Sequence, residues 1–374
     1  MKIFITYASA GAGHKKAAEA IFGAAQILKG KEQDIELFDA LDYTNSFFKW
    51  FYNASYLFMI TYLPFVWGFF YYVLDCKLIY FLISPIRCVI NFLNSKRLRD
   101  KLINENPQVV ISAHFFASQV VANLLARGYL PKTKLITVLT DFLPHAFWIN
   151  HLTHFYSAAL PEAKEELIRR GVAKEKIRVL GIPVGPSFLE GQEKSILREK
   201  LNFSQEKPVV LIVSGGFGVG PVEKMLCALD KYQMDIELAV VCGRNPSLFK
   251  QLKEIDFKKK VNIFGFVNNM HELMGASDLI ITKAGGLSIS EALASRLPMI
   301  IVRPVPGQET RNCSILIRDK VAIKIKNLKQ LKTAVTKLLQ DNTRKTYLEN
   351  IKFISHPRAA FDIIKLADSV AIKK

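Results

Sequence analysis

The succession of strand, glycine turn and helix occurs twice, near the start of each half of the chain, and it constrains the fold more than any other feature. The first copy is Lys2–Ala8, then Ser9-Ala10-Gly11-Ala12-Gly13-His14, then the Ala-rich stretch Lys15–Leu28. The second is Val209–Val213, then Ser214-Gly215-Gly216-Phe217-Gly218, then a helix expected from Val222 to Tyr232. Further β-branched runs follow the helical stretches: Val109–Ile111, Lys134–Leu139, Ile236–Val241, Val261–Phe264, Leu279–Thr282 and Met299–Val302. Strands that alternate with helices form parallel sheets covered on both faces. The chain therefore reads as α/β, with two Rossmann-like domains, and 374 residues is long enough for two cores. Gly181, Pro183, Gly185 and Pro186 interrupt helix and strand alike and mark a linker. The expected boundaries are 1–185, 186–354 and a C-terminal helix within 355–374. That helix carries an apolar stripe at Ala359, Ala360, Ile363, Ile364, Ala367 and Val370.

The net charge of +18 is shared by both halves, +7 in residues 1–186 and +11 in the remainder. Such a field suits an acidic partner: nucleic acid, phosphate ligands or anionic lipid headgroups. Nucleic-acid binding stands as the reading from a different class, but the Lys and Arg residues are scattered and no aromatic-plus-basic RNA motif appears. The densest run, Lys258-Lys259-Lys260, reads as a solvated face. Five cysteines without CxxC spacing predict reduced thiols rather than a disulfide framework or zinc site. Met1–Ser9 lacks the cleavage region of a secretory signal.

From Trp50 to Leu74 the chain has no charged residue and is densely aromatic, with Trp67, Phe69 and Phe70 near its centre. Its length suffices for a bilayer span. The strands before and after it are expected in one sheet, which excludes a single crossing. The segment, about 47–95, therefore lies in the interface, returns through Leu78–Leu93 as a hairpin, or is an ordinary core. Tyr and Trp favour the headgroup region, and Lys96, Arg97, Arg99 and Lys101 suit anionic lipids. Arg87 and Pro85 weaken the hairpin.

Three motifs carry chemistry. In Gly11-Ala12-Gly13-His14 the glycines allow close backbone approach, and His14 can act as a base at neutral pH or merely cap the helix. The stretch 139–148 follows a strand, which puts Asp141 and His145 at a sheet's carboxyl edge, to orient a base, contact a hydroxyl or hold a loop. In Lys283-Ala284-Gly285-Gly286-Leu287-Ser288 a glycine turn opens a helix that can hold a diphosphate, with Ser288 as its expected cap and Glu291 placed for ribose hydroxyls. Next comes 303–312, expected as a rigid polar loop in which Gln308, Glu309 and Asn312 read sugar hydroxyls. No DxD or His/Cys spacing calls for a metal, so no cofactor is expected.

With these motifs in order, and with LGIPV at 180–184, SGGFG at 214–218, CGRN at 242–245 and PVPGQETRN at 304–312, the sequence resembles the diacylglycerol glycosyltransferases. These include monogalactosyldiacylglycerol synthase and the processive diacylglycerol glucosyltransferases. The resemblance implies a GT-B fold, two Rossmann-like domains facing across a cleft, with acceptor lipid on the first and UDP-sugar mainly on the second. It implies metal-independent, inverting transfer of glucose or galactose from UDP-glucose or UDP-galactose to diacylglycerol or a glycosyl-diacylglycerol. The expected location is the cytoplasmic face of the cell membrane, with anionic lipids as partners. Mapped by motif, His14 is the base, with Asp141 and His145 supporting it or lining the acceptor site. Gly11, Gly13, Trp67, Phe69, Phe70 and Trp148 serve acceptor and membrane. On the donor side, Gly215, Gly216 and Gly218 allow close approach to phosphate. Arg244 meets phosphate, Phe266 and Val267 the uracil, and Gly285, Gly286 and Leu287 the diphosphate. Together with the apolar stripe, the resemblance also predicts that the C-terminal helix crosses back onto the first domain. The alternatives are another lipid-linked acceptor on the same fold, a soluble UDP-sugar epimerase, or an inactive membrane scaffold.

Overall fold

The computed structural model describes residues 1–9, 11–30, 34–213, 215 and 220–371. The chain divides into two units. The first holds Met1–Pro186, Pro306–Gln308 and the chain from His356; the second holds Ser187–Val305 and Glu309–Ser355.

The first unit is built on six parallel strands in the order β2-β1-β3-β4-β5-β6. They are β1 (Ile3–Tyr7), β2 (Ile35–Asp39), β3 (Val109–Ser112), β4 (Lys134–Val138), β5 (Phe155–Ala158) and β6 (Ile177–Val179). Its helices are α1 (Ala12–Lys29), α2 (Ser46–Tyr62), α3 (Pro64–Asp75), α4 (Lys77–Asn94), α5 (Lys96–Glu105), α6 (Phe115–Ala126) and α7 (Pro161–Arg169). α1 begins three residues before the expected start, capped by Gly11 at φ 98°, a conformation that glycine adopts without strain. Ala17, Ala18, Ile21 and Ala25 put its small-residue face on the sheet. The C-terminal helix α16 (Ala359–Ala371) shares that core, where Ile363, Ile364, Ala367 and Val370 pack with α1 and with Ile3 and Ile5 of β1. Fully burying each isoleucine contributes about 1.5–3 kcal/mol.

Between β2 and β3 lie α2 to α4. β1 pairs with both β2 and β3, so the segment leaves and rejoins one sheet, in agreement with the exclusion of a single crossing. α2 and α3 meet at 116°, where Pro64 at the first turn of α3 forces Leu63 out of helical geometry. α4 is long and apolar enough to span a bilayer (mean hydropathy 1.3), yet only 6% of that stretch is buried, and it continues through Pro85. Phe65, Phe69, Phe81 and Leu93 are each more than 60% exposed. This is no ordinary core. The inward side of α4 is polar instead: Asn91 donates to Gln119 at 2.6 Å and Asn123 to Cys88 Sγ at 3.2 Å.

The second unit repeats the plan, with strand order β12-β11-β10-β7-β8-β9. Its strands are β7 (Val209–Val213), β8 (Glu237–Val241), β9 (Val261–Phe264), β10 (Leu279–Thr282), β11 (Met299–Val302) and β12 (Ala322–Ile325). The helices are α8 (Lys194–Lys200), α9 (Val222–Lys231), α10 (Pro246–Lys253), α11 (Met270–Ala276), α12 (Gly286–Ala294), α13 (Gln308–Arg318), α14 (Leu331–Leu339) and α15 (Asp341–Ile354). β7 is buried at every position, as a strand covered on both faces must be. Asp278 ties the unit together: its carboxylate takes Arg198, Arg344 and Lys194, and accepts from the Val209 amide at 2.7 Å.

Four strands escaped the sequence reading: β2, β5, β6 and β12. Edge strands β2, β6 and β12 carry charges (Glu36, Arg178, Lys324), which hide the apolar run that marks an interior strand.

Candidate active site

Each sheet reverses its strand order at one point, between β1 and β3 in the first unit and between β7 and β10 in the second. Open α/β sheets bind ligands at the carboxyl ends of the strands flanking such a point.

In the first unit this is where His14 sits. It is the third residue of α1, just after β1, and its Nδ1 lies 2.9 Å from the Ala113 carbonyl oxygen, just after β3. A carbonyl only accepts, so Nδ1 carries the proton and Nε2 keeps a bare lone pair. The Thr140 hydroxyl, beyond β4, lies 2.9 Å from the same nitrogen and shares its N–H. Burial pushes the imidazole down to about 4, against the upward effect of the Ala113 hydrogen bond. His14 is thus neutral at physiological pH, with one tautomer fixed by the backbone.

A second histidine stands beside it. The His114 ring meets His14 edge to face at 4.5 Å, and its Nδ1 accepts from the Phe116 amide at 3.0 Å. Here the proton sits on Nε2, the opposite tautomer. His114 was not singled out in the sequence, although the signal existed: like His14, it follows a strand at a carboxyl edge, here as the cap of α6. The buried Trp148 closes the cluster, 6.0 Å from His14. Gly11 lies under the Tyr56 ring, which packs edge to face on Trp67 at 5.5 Å.

In the second unit the turns after β7, β8, β9 and β10 supply the candidate donor groups. Gly215 has φ 72°; Gly216 and Gly218 lie outside the described residues. Arg244, after β8, stacks 5.1 Å over Phe266, after β9, and Phe266 is 49% exposed beside Val267. α12 starts at Gly286 with Gly285 before it and no side-chain cap, so its first amides are unpaired within the helix. Lys283 precedes this turn; burial lowers its ammonium pKa, opposed by nearby Glu309. Among the described residues no group of three or more His, Cys, Asp or Glu could hold a metal ion.

Residues 14–184 match the monogalactosyldiacylglycerol (MGDG) synthase family, and residues 209–359 match the glycosyltransferase family 28 C-terminal domain. Monogalactosyldiacylglycerol synthase of Spinacia oleracea is 30% identical over 100% of this chain and 73% of its own length. Monogalactosyldiacylglycerol synthase 2 of Arabidopsis thaliana is 30% identical over 99% and 81%. The chain belongs to the monogalactosyldiacylglycerol synthase family. It is a glycosyltransferase. MurG of Acinetobacter baumannii superposes with TM-score 0.62 at 15% identity over 99% of this chain and 100% of MurG. The MnaA–UDP structure from S. aureus gives 0.64 at 15% over 97% and 95%, and the fold is GT-B.

Within this family member several expected site residues take other places. Ser288 is no cap; it is the third residue of α12, behind Gly285. The stretch 303–312 is not one loop, because α13 begins at Gln308. Asn312 is 1% exposed and donates to the Ala284 carbonyl at 3.0 Å, so it holds the α12 turn and cannot read a sugar directly. Glu309 accepts from the Val305 amide at 2.8 Å, and Glu291 is half-buried on α12. Gln308 groups with the first unit, where it accepts from Trp67 Nε1 at 3.4 Å. Trp148 is 2% exposed and faces His14, not a membrane. Trp67 is half-buried, whereas Phe69 and Phe70 are exposed. Both His145 nitrogens are spent on backbone, Nε2 donating to the Tyr71 carbonyl at 3.0 Å and Nδ1 accepting from Phe147. His145 therefore anchors the end of α3 and has no nitrogen left for proton transfer. Asp141 is half-buried directly after Thr140, and Gly13 is in the first turn of α1.

Proposed function

We propose that this enzyme transfers glucose or galactose, with inversion, from a UDP-sugar to diacylglycerol or a glycosyl-diacylglycerol at the cytoplasmic face of the cell membrane. The observation that carries the reading is His14: a neutral imidazole with a bare Nε2 at the switch point of the first sheet. In the reaction, Nε2 takes the acceptor's hydroxyl proton as that oxygen bonds to the anomeric carbon. The bond from that carbon to the diphosphate breaks, and its electron pair leaves with UDP. His14 then returns the proton to water. Charge on the departing diphosphate is met by the free amides of α12, by Arg244 and by Lys283, so no resident metal is required. The named activity of the plant relatives supports the lipid acceptor, and a related GT-B protein, HepE, is known in complex with UDP-glucose. The exposed aromatic side chains of α2 to α4 supply the docking surface, with α5 contributing Lys96, Arg97 and Arg99 beside it.

The test is UDP release by purified protein with UDP-glucose or UDP-galactose, on anionic liposomes with or without diacylglycerol. Release that needs both donor and diacylglycerol establishes the activity and names the sugar. UDP binding without turnover transfers the search to another lipid acceptor. Absence of UDP binding overturns the reading.

A further inference from the structure

Arg87 lies half-buried on the inward, polar side of α4. Its Nη2 donates to the Tyr80 hydroxyl at 3.0 Å, while Nε and Nη1 are buried without a hydrogen-bond partner. The guanidinium lies 4.3 Å from the centroid of the Phe147 ring, 5.4 Å from Tyr80 and 6.0 Å from Phe115. The titratable groups that act on it are Tyr80 and Cys88 of α4 and Tyr52 of α2; no carboxylate is among them. A cation taken from water and left without a counter-ion costs stability that aromatic faces return only in part. What it gains lies one ring away. The Phe115 ring lies 6.0 Å from the Arg87 guanidinium and 4.1 Å from the His114 ring; His114 in turn packs on His14.

We propose that Arg87 is a positioning residue for proton transfer: a fixed cation behind the Phe115 ring that reinforces burial in opposing a charge on His114, so that His14 alone takes and returns the proton. The inference rests on His14 as the base. Two features of geometry support it. His114 Nδ1 is occupied by the Phe116 amide, so protonating it breaks the cap of α6. The charged and titratable groups facing His114 are His14 from α1, Arg87 from α4 and Tyr52 from α2, whose ring is 6.1 Å away. Burial acts first on His114; the charge of Arg87, and that of His14 once it holds the proton, act in the same downward direction. An imidazolium at His114, 4.5 Å from His14, would oppose a second positive charge on the base. Without Arg87 its contribution is lost, burial remains, and His114 protonates at a higher pH than in wild type.

The experiment is a histidine-resolved NMR titration of the full chain beside the pH profile of kcat/KM. In wild type His114 titrates well below the unperturbed value of about 6.5; titration near that value overturns the proposal without any variant. In Arg87→Met the His114 titration and the acid limb of kcat/KM both move up by about half a pH unit or more, a threefold or greater change in proton affinity. Arg87→Lys, which keeps the charge, restores both. In a His114→Gln background Arg87→Met leaves the acid limb in place. A folded Arg87→Met protein with both profiles unchanged overturns the inference. The NMR readout reports on Arg87 and His114 whatever the role of His14, whereas His14→Ala tests the base by itself.

Discussion

His14 and Ala113 are 99 positions apart in sequence and 2.9 Å apart in space, and that one hydrogen bond decides which imidazole nitrogen is free. It joins the turn after β1 to the turn after β3, across the switch point of the first sheet.

Replacing His14 by Ala removes the bare Nε2. The expected loss in kcat/KM is about 10²–10⁴-fold, the range of general-base catalysis. UDP affinity, measured by calorimetry, is expected to be unchanged. A variant that keeps wild-type turnover would remove His14 from the chemistry.

Stability should fall in mild acid. Burial holds His14 and His154 down at about 4, and His114 well below its ordinary value. In the unfolded chain all three titrate near about 6.5. Between those values the unfolded state binds more protons, so the stability they contribute is present above about pH 6.5 and is lost as pH falls toward 4. Unfolding free energies from urea titrations at pH 7.5 and 5.0 should differ by about 2 kcal/mol for each histidine held neutral in the fold, with the lower stability at pH 5.0.

Membrane docking should follow exposure rather than mere aromaticity. Replacing Phe69, Phe70 and Phe81 together by Ser should weaken liposome sedimentation while leaving the thermal midpoint close to wild type, because these side chains are 47–72% exposed. Trp67→Ser should lower the midpoint instead, since Trp67 packs on Tyr56. Unchanged sedimentation of the triple variant would place the docking surface elsewhere.

Asp278→Ala should be severe. Burial alone would raise the Asp278 pKa, but Lys194, the Val209 amide and Arg344 hold it below the usual carboxylate range. Its loss leaves Arg198, itself 6% exposed, without a counter-charge. Breaking a buried pair in this way costs about 3–5 kcal/mol, readable by chemical denaturation of the second unit.

Two parallel sheets, the glycine turns that end their central strands, and an uncharged aromatic segment leaving one sheet were all legible in the sequence. Each is written in local periodicity, and a buried parallel strand such as β7 needs only its own five residues to announce itself. The division of labour among polar residues was not legible. Asn312 and His145 sit in motifs rich in hydrogen-bonding groups, where Asn312 reads as a sugar contact and His145 as orienting the base, contacting a hydroxyl or holding a loop. The fold spends Asn312 on Ala284 and His145 on Tyr71 and Phe147. His114, with no motif of its own, is placed against His14 instead. A polar side chain at a strand end can satisfy itself on backbone or on substrate. Only tertiary structure decides which, because the partner comes from a distant part of the chain and a buried group left unpaired is costly.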